Sequence, residues 1–154
     1  MTEPQQRLPV AARPYWRLTL VPWVVALAFG ALALGPAADD IGLPRWLPLA
    51  AELVAGAVAI AVVPGLRWSR WRYEIRNDEI DLRAGLWTVR RVLVPIRRVQ
   101  HVDTSTGPLQ GIFELATVSF HTAAGKTEIP ALTRAEAEAV RRRVGELART
   151  RDDV

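Results

Sequence analysis

No cysteine occurs among the 154 residues, so disulfides, thiolate metal sites and a cysteine nucleophile are excluded, and a reducing compartment suits the chain. Lysine is nearly missing too: nineteen of the twenty basic side chains are arginine, and Lys126 is the exception. Beside a surplus of alanine and valine this reads as codon bias, which weakens any inference from arginine alone to a phosphate ligand. Histidine is limited to His101 and His121. The most consequential shortage is of charge along the chain. Leu18 to Ala38, "LTLVPWVVALAFGALALGPAA", carries no ionisable group, and Trp46 to Leu66, "WLPLAAELVAGAVAIAVVPGL", carries Glu52 alone.

What is present is unevenly distributed. Half of the residues are hydrophobic although 23% are charged, a balance that implies segregated apolar and polar regions. The length admits one domain with accessory segments. The formal charge of +4 suits an anionic partner, either nucleic acid or acidic lipid.

Each of the two runs has 21 residues and extends about 32 Å as a helix, against a hydrocarbon core of roughly 30 Å. A helix buried in a soluble protein keeps a polar face at helical spacing, and neither run has one. Transmembrane helices are therefore expected at 18–38 and 46–66. Tyr15, Trp16 and Arg17 precede the first, Trp46 opens the second, and Arg67, Trp68, Arg70, Trp71 and Arg72 follow it. These form the expected membrane-interface set, amphipathic rings and guanidinium groups at headgroup depth. Pro22, Pro36, Pro48 and Pro64 fall toward the ends of the runs, where a missing backbone donor is easiest to tolerate.

Residues 39–45 allow only a short external loop, so the helices should form an antiparallel hairpin. Arg7, Arg13 and Arg17 flank its first end and Arg67, Arg70, Arg72 and Arg76 its last, whereas the loop has Arg45 beside Asp39 and Asp40. The positive-inside rule then assigns the tail 1–17 and everything after residue 66 to the cytoplasm, in a multi-pass protein of the inner (plasma) membrane. A cleaved signal peptide is the competing account of the first run, with Arg13 and Arg17 as its basic region and "ALA" at 31–33 as its processing site. Against it, the run exceeds the usual length of about 7–15 residues and a second follows at once. Glu52 would cost about 2.5–3.5 kcal/mol at the centre of a span. It lies off-centre and reads as facing the partner helix or the interface; the other reading makes it a polar site inside the bilayer.

Residues 67–150 read as a separate, mainly β domain. Trp71, Tyr73 and Ile75 alternate with Arg70, Arg72, Glu74 and Arg76, the period of a half-buried strand. "IDLRAG" sets Ile80 and Leu82 against Asp81 and Arg83 after a turn at Asn77–Glu79. Further strands are expected at 86–95, 99–106, 115–122 and 126–130, with "AAG" at 123–125 as a hairpin turn, for six or seven in all. "GPLQGIF" (107–113) reads as a helical turn led by Pro108. Thr133 and Glu136 form a T-x-x-E capping box before a helix at 133–149, whose apolar stripe is Ala137, Val140, Val144 and Leu147. The fold class expected is a two-helix membrane hairpin followed by a small split barrel with a C-terminal helix over its open end.

Residues 72–125 resemble the YdbS-like bacterial pleckstrin-homology (PH-like) domain family, most specifically in "VPIRRVQHV" and "GPLQGIFELATVSFHTA". The two spans and the terminal helix suit that family's layout, so the resemblance covers nearly the whole chain. Gly111 and Glu114 depart from the residues expected within the second motif, altering local charge but not the pattern. The resemblance implies a seven-stranded PH-like barrel capped by the C-terminal helix and tethered to the membrane. It implies no established chemistry, and it implies a larger membrane protein with several such domains as the kind of partner.

Specific phosphoinositide binding is disfavoured because the first hairpin turn carries Asp78 and Glu79, which repel phosphate. General attraction of the juxtamembrane arginines to anionic lipid remains. His101 and Asp103 share one strand face and His121 lies on another strand; a metal or acid–base site needs them to converge with a third ligand, and without a ligand spacing pattern they read as rim or surface residues. Nucleic-acid binding needs exposed aromatics beside a basic groove, and the tryptophans are already accounted for at the membrane interface. The function expected is a membrane-anchored, non-enzymatic PH-like interaction module at the cytoplasmic face, belonging to a membrane protein assembly. Its partners would be lipid and another PH-like membrane protein or a second copy, with no cofactor, metal, catalytic residue, nucleic acid or small-molecule substrate. The alternative is an accessory subunit of a transport or envelope-stress system acting through Glu52.

Overall fold

The computed structural model describes residues 3–152, so residues 1 and 2 of the expected tail lie outside the described residues. The chain divides into two units: residues 13–66 form one, while the residues up to Ala12 join those from Arg67 onward in the other.

In the helical unit, α1 (Ala12–Ala33) and α3 (Leu47–Arg70) have 22 and 24 residues, and both are long and apolar enough to cross a membrane. Their outward faces are apolar: Trp23 is 70% exposed and Phe29 69%. The core helix of a soluble protein would bury those rings, so such faces suit lipid or a partner helix. α1 starts at Ala12 and ends at Ala33, not at the 18–38 limits of the apolar run. Pro22 consequently falls inside the helix. The Gly35–Pro36 step, with proline restricting the residue before it, starts the short helix α2 (Gly35–Asp40), so the turn begins earlier than the expected loop at 39–45. Arg45 pairs with Asp39 at 3.1 Å across that turn. The two long helices meet where Gly56 lies against Val24: a Cβ at Gly56 would stand 2.6 Å from Val24 Cγ1.

The second unit holds six strands in two antiparallel sheets. β1 (Arg72–Ile75), β2 (Glu79–Ala84) and β3 (Arg90–Pro95) form the first in that order, and β4 (Val99–Ser105), β5 (Leu115–Thr122) and β6 (Gly125–Thr133) the second. The seventh strand implied by the family resemblance is not found among the described residues. β3 begins four residues later than the run at 86–95 suggested, because Gly85, at φ 154°, and the residues after it form a tight turn. A side chain at Gly85 would collide with the Thr88 carbonyl. One 3-10 turn, Ile96–Arg98, joins the sheets, and α4 (Pro108–Ile112) is the helical turn expected behind Pro108. Ile80, Leu82, Ile96, Val118, Phe120, Ile129 and Leu132 fill the core, closed by Ala137 and Val144 of α5 (Arg134–Asp152), which packs on the second sheet.

The capping box at the start of α5 is formed in both directions. The Thr133 N–H donates to Glu136 Oε2 at 3.0 Å, and the Glu136 N–H donates to Thr133 Oγ1 at 3.2 Å. Glu136→Ala should lower the stability of this unit by about 1 kcal/mol, seen as a fall of about 4–8 °C in its thermal midpoint. Glu138→Ala, which removes only an exposed pair with Arg141, should leave the midpoint nearly unchanged.

Two features of this unit depart from the sequence reading. The N-terminal segment, read from the sequence only as a tail, is a strap on the β domain. Gln6 and Tyr73 exchange backbone hydrogen bonds of 3.2 and 3.0 Å in an isolated antiparallel bridge, Leu8 is buried, and Glu3 pairs with Arg83 at 2.8 Å. Asp81, read as solvent-facing from the alternation of β2, is fully buried. Arg91 holds it in a bidentate pair, Nε to Oδ1 at 2.9 Å and Nη2 to Oδ2 at 2.5 Å, with Arg76 at 3.3 Å from Oδ2. Arg76 also meets Glu74 and Glu79, so a chain of alternating charge crosses the outer face of the first sheet. The Arg91 hydrogen bonds, aided by the charges of Arg91 and Arg76 and opposed by desolvation, hold the Asp81 carboxyl below the usual carboxylate range.

Candidate functional site

The residues expected at the membrane interface separate into several environments. Arg17, Arg67 and Arg70 are exposed and Trp46 is 62% exposed, as a headgroup contact requires. Tyr15 is half-buried. Trp16 and Trp71 are 4% and 7% exposed, so their rings pack against the protein's own atoms. Trp71 turns inward because it opens the apolar face of β1, ahead of the buried Tyr73. Trp68 is tied to the strap: its indole N–H donates to the carbonyls of Leu8 and Pro9 at 2.8 and 3.2 Å, and Arg7 lies 5.7 Å above its ring. The Arg72 guanidinium donates to the Trp71 carbonyl at 2.7 Å, and that of Arg70 donates to the Leu86 carbonyl.

Glu52 is half-buried and lines the groove between α1 and α3 with Leu27, Ala31, Pro48 and Ala55. It thus faces the partner helix. The apolar runs supply no second ionisable side chain, so a proton or ion relay has no next step within them.

A groove of about 520 Å³ in the β unit is lined by Gln6, Arg7, Tyr73, Glu136 and Arg143. Its charged groups are engaged within the fold. Arg143 donates to Asn77 at 3.0 Å, Arg7 stacks on Trp68 and Glu136 caps α5. Burial, then the Glu136 charge, push the Tyr73 phenol up to about 12, so it stays neutral at ordinary pH.

Two further surface features stand out among the described residues. The first is the outer edge of β3, the terminal strand of its sheet. Val92 and Leu93 are exposed on it, Val89 is exposed just before it, and Trp87 in the preceding turn is 93% exposed. An apolar edge with unpaired backbone groups is a ready template for another chain, and the sequence reading missed it because Leu86–Pro95 looked like one alternating strand. The second is on the outer face of the other sheet, where the β4–β5 register sets His101 directly opposite His121. Their rings stack at 4.2 Å with planes 9° apart, and the Asp103 carboxylate reaches both. The sequence left these three as separate rim residues; pairing brings them together.

Residues 17–148 match the family profile of the bacterial PH domain. Among curated proteins, the UPF0699 transmembrane protein YdbS of Bacillus subtilis (strain 168) is 46% identical over 101 residues, covering 66% of this chain and 64% of the relative. The UPF0699 transmembrane protein YdbT of the same organism is 32% identical over 100 residues, covering 58% of this chain and 20% of the relative. The chain thus spans less than two thirds of the length of either curated relative. No solved structure matches it significantly.

Proposed function

We propose, from the premise that this chain belongs to the bacterial PH domain family of membrane proteins, that it is a non-enzymatic interaction module. Its helical hairpin holds the PH-like domain at the cytoplasmic face of the inner membrane. There the open β3 edge joins it to other membrane proteins, either a second copy or a relative with several such domains. The observation that carries this reading is the β3 edge itself, where Trp87, Val89, Val92 and Leu93 are exposed together. Strand addition gives affinity through backbone bonds, and an exposed tryptophan beside the edge supplies an anchor of the kind that dominates interfaces.

Two features support the orientation. Residues 3–12 belong to the same compact unit as residues 67–152, in keeping with both flanks of the hairpin lying on one side of the bilayer. Exposed Arg17, Arg67 and Arg70 stand on those flanks while the opposite turn offers Arg45, already paired with Asp39, in keeping with the positive-inside rule. The rival role through Glu52 has less support, since that carboxyl stands alone in the apolar runs.

The test uses the absence of native cysteine. A cysteine-directed crosslinker attached at Thr88→Cys, beside the intact Trp87, in intact membranes should capture a membrane protein, and Trp87→Ala should weaken association with the captured partner about tenfold, ~1.4 kcal/mol, without changing the thermal midpoint. Capture equal to that from a cysteine placed at exposed Ala123 would sink the assignment of the β3 edge.

A further inference from the structure

We propose that His101, Asp103 and His121 form a binding site for one borderline divalent transition-metal ion, of the Zn²⁺ class, on the outer face of the second sheet. The site follows from strand geometry. Paired residues on adjacent antiparallel strands bring their Cβ atoms to within about 5.5 Å, and residues two apart on one strand share a face. His101 pairs with His121, Asp103 follows His101 by two residues, and a register shift between Val99 and His101 adjoins the pair. Such bulges re-aim neighbouring side chains.

The atoms that would bind the ion already converge. Asp103 Oδ2 lies 3.4 Å from His101 Nε2 and 3.2 Å from His121 Nε2, and the three ligand atoms all fall within 4.8 Å of one another. Around a tetrahedral ion with bonds of about 2.05 Å, two ligands stand roughly 3.3 Å apart. Both nitrogen-to-oxygen edges therefore have the length that shared coordination requires. The stacked imidazoles must splay so that each in-plane lone pair meets the ion. His101 and Asp103 have side chains 58% and 60% exposed, so this takes side-chain rotation without movement of the strands, and an ion has direct access.

The donor set selects the metal class. Two imidazoles and one carboxylate favour Zn²⁺, Co²⁺, Ni²⁺ or Cu²⁺ over Mg²⁺ and Ca²⁺, which prefer all-oxygen surroundings. Lys126 is cross-strand from His121, its ammonium engaged by Glu128 at 3.1 Å, and Arg141, Arg142 and Arg149 of α5 line a groove with His101. Three protein ligands leave the fourth tetrahedral position for water or for a donor from a bound partner.

The experiment is a Co²⁺ titration of the full chain in detergent micelles, after removal of any affinity tag, followed by competition with Zn²⁺. One equivalent of Co²⁺ should develop a visible d–d absorption that Zn²⁺ displaces. His101→Gln and His121→Gln should each lower the affinity more than about tenfold, while Asp103→Asn should weaken it and shift the band. His101→Gln replaces an exposed side chain, and its thermal midpoint in the absence of metal reports whether the fold is retained. No saturable one-to-one spectrum in the wild type would overturn the proposal, as would wild-type affinity in His101→Gln or in His121→Gln.

Discussion

Replacing Asp81 by alanine should destabilise the β unit by about 3 kcal/mol, the lower end of what removing one partner of a buried pair costs, and lower its thermal midpoint by more than about 10 °C. The lower end applies because Arg76 and Arg91 are partly exposed and can turn to water when the carboxylate is lost. A milder change, Asp81→Asn, separates charge from packing through its dependence on pH. The carboxyl is depressed in the folded protein, so the unfolded chain takes up the proton first as pH falls. The stabilisation from this group is fully present above the unfolded value of about 4 and is lost as pH drops through the lower folded value. Wild type should therefore exceed Asp81→Asn in stability at pH 7, and the difference should shrink under acid. Denaturant unfolding at a series of pH values checks this; a difference that stays constant down to pH 2 would show that the charge contributes nothing.

Gly56→Leu should separate α1 from α3 and cost about 2–3 kcal/mol in the helical unit, in the range for overpacking. Even the first carbon of a side chain has no room beside Val24. Valine in a helix is held near a single χ1 rotamer, so the backbones must move apart. Small residues at helix contacts in lipid permit the close approach that dispersion needs, since lipid offers no hydrophobic drive for pairing. Gly56→Ala should already destabilise the hairpin, and Val24→Ala in the same chain should restore most of the loss. Cysteines introduced at Ala31 and Ala55, which line one groove, report the separation through their rate of disulfide formation in membranes. Equal rates in wild type and Gly56→Leu would refute the contact.

What the sequence disclosed and what it concealed follow from the range of the forces involved. The period of β1, the run of β5 and the reciprocal bonds of Thr133 and Glu136 depend on neighbours a few residues apart, and each is visible in the chain. Asp81 was misread because alternation assigns a face without saying what covers it. Its cover comes from Arg91, which β2–β3 pairing sets diagonally across the strands. Gly56 is one small residue in an apolar run until Val24 is known to oppose it. His101 and His121 are twenty residues apart, and only the register makes them a pair. The tryptophans expected at the interface divide for a related reason, since the same rings suit a headgroup layer and a protein core. Trp71 found the core and Trp46 the surface.

The strap makes the earliest residues of the chain a structural part of the domain that is synthesised last. Leu8, whose carbonyl accepts from the Trp68 indole sixty residues downstream, leaves the ribosome before either helix is complete, yet its contacts are made only after both. A nascent chain that passed its first residues across the bilayer would leave Tyr73 without the Gln6 bridge, and the late domain would fold around a gap. The last-made part of the chain is thus completed by the first.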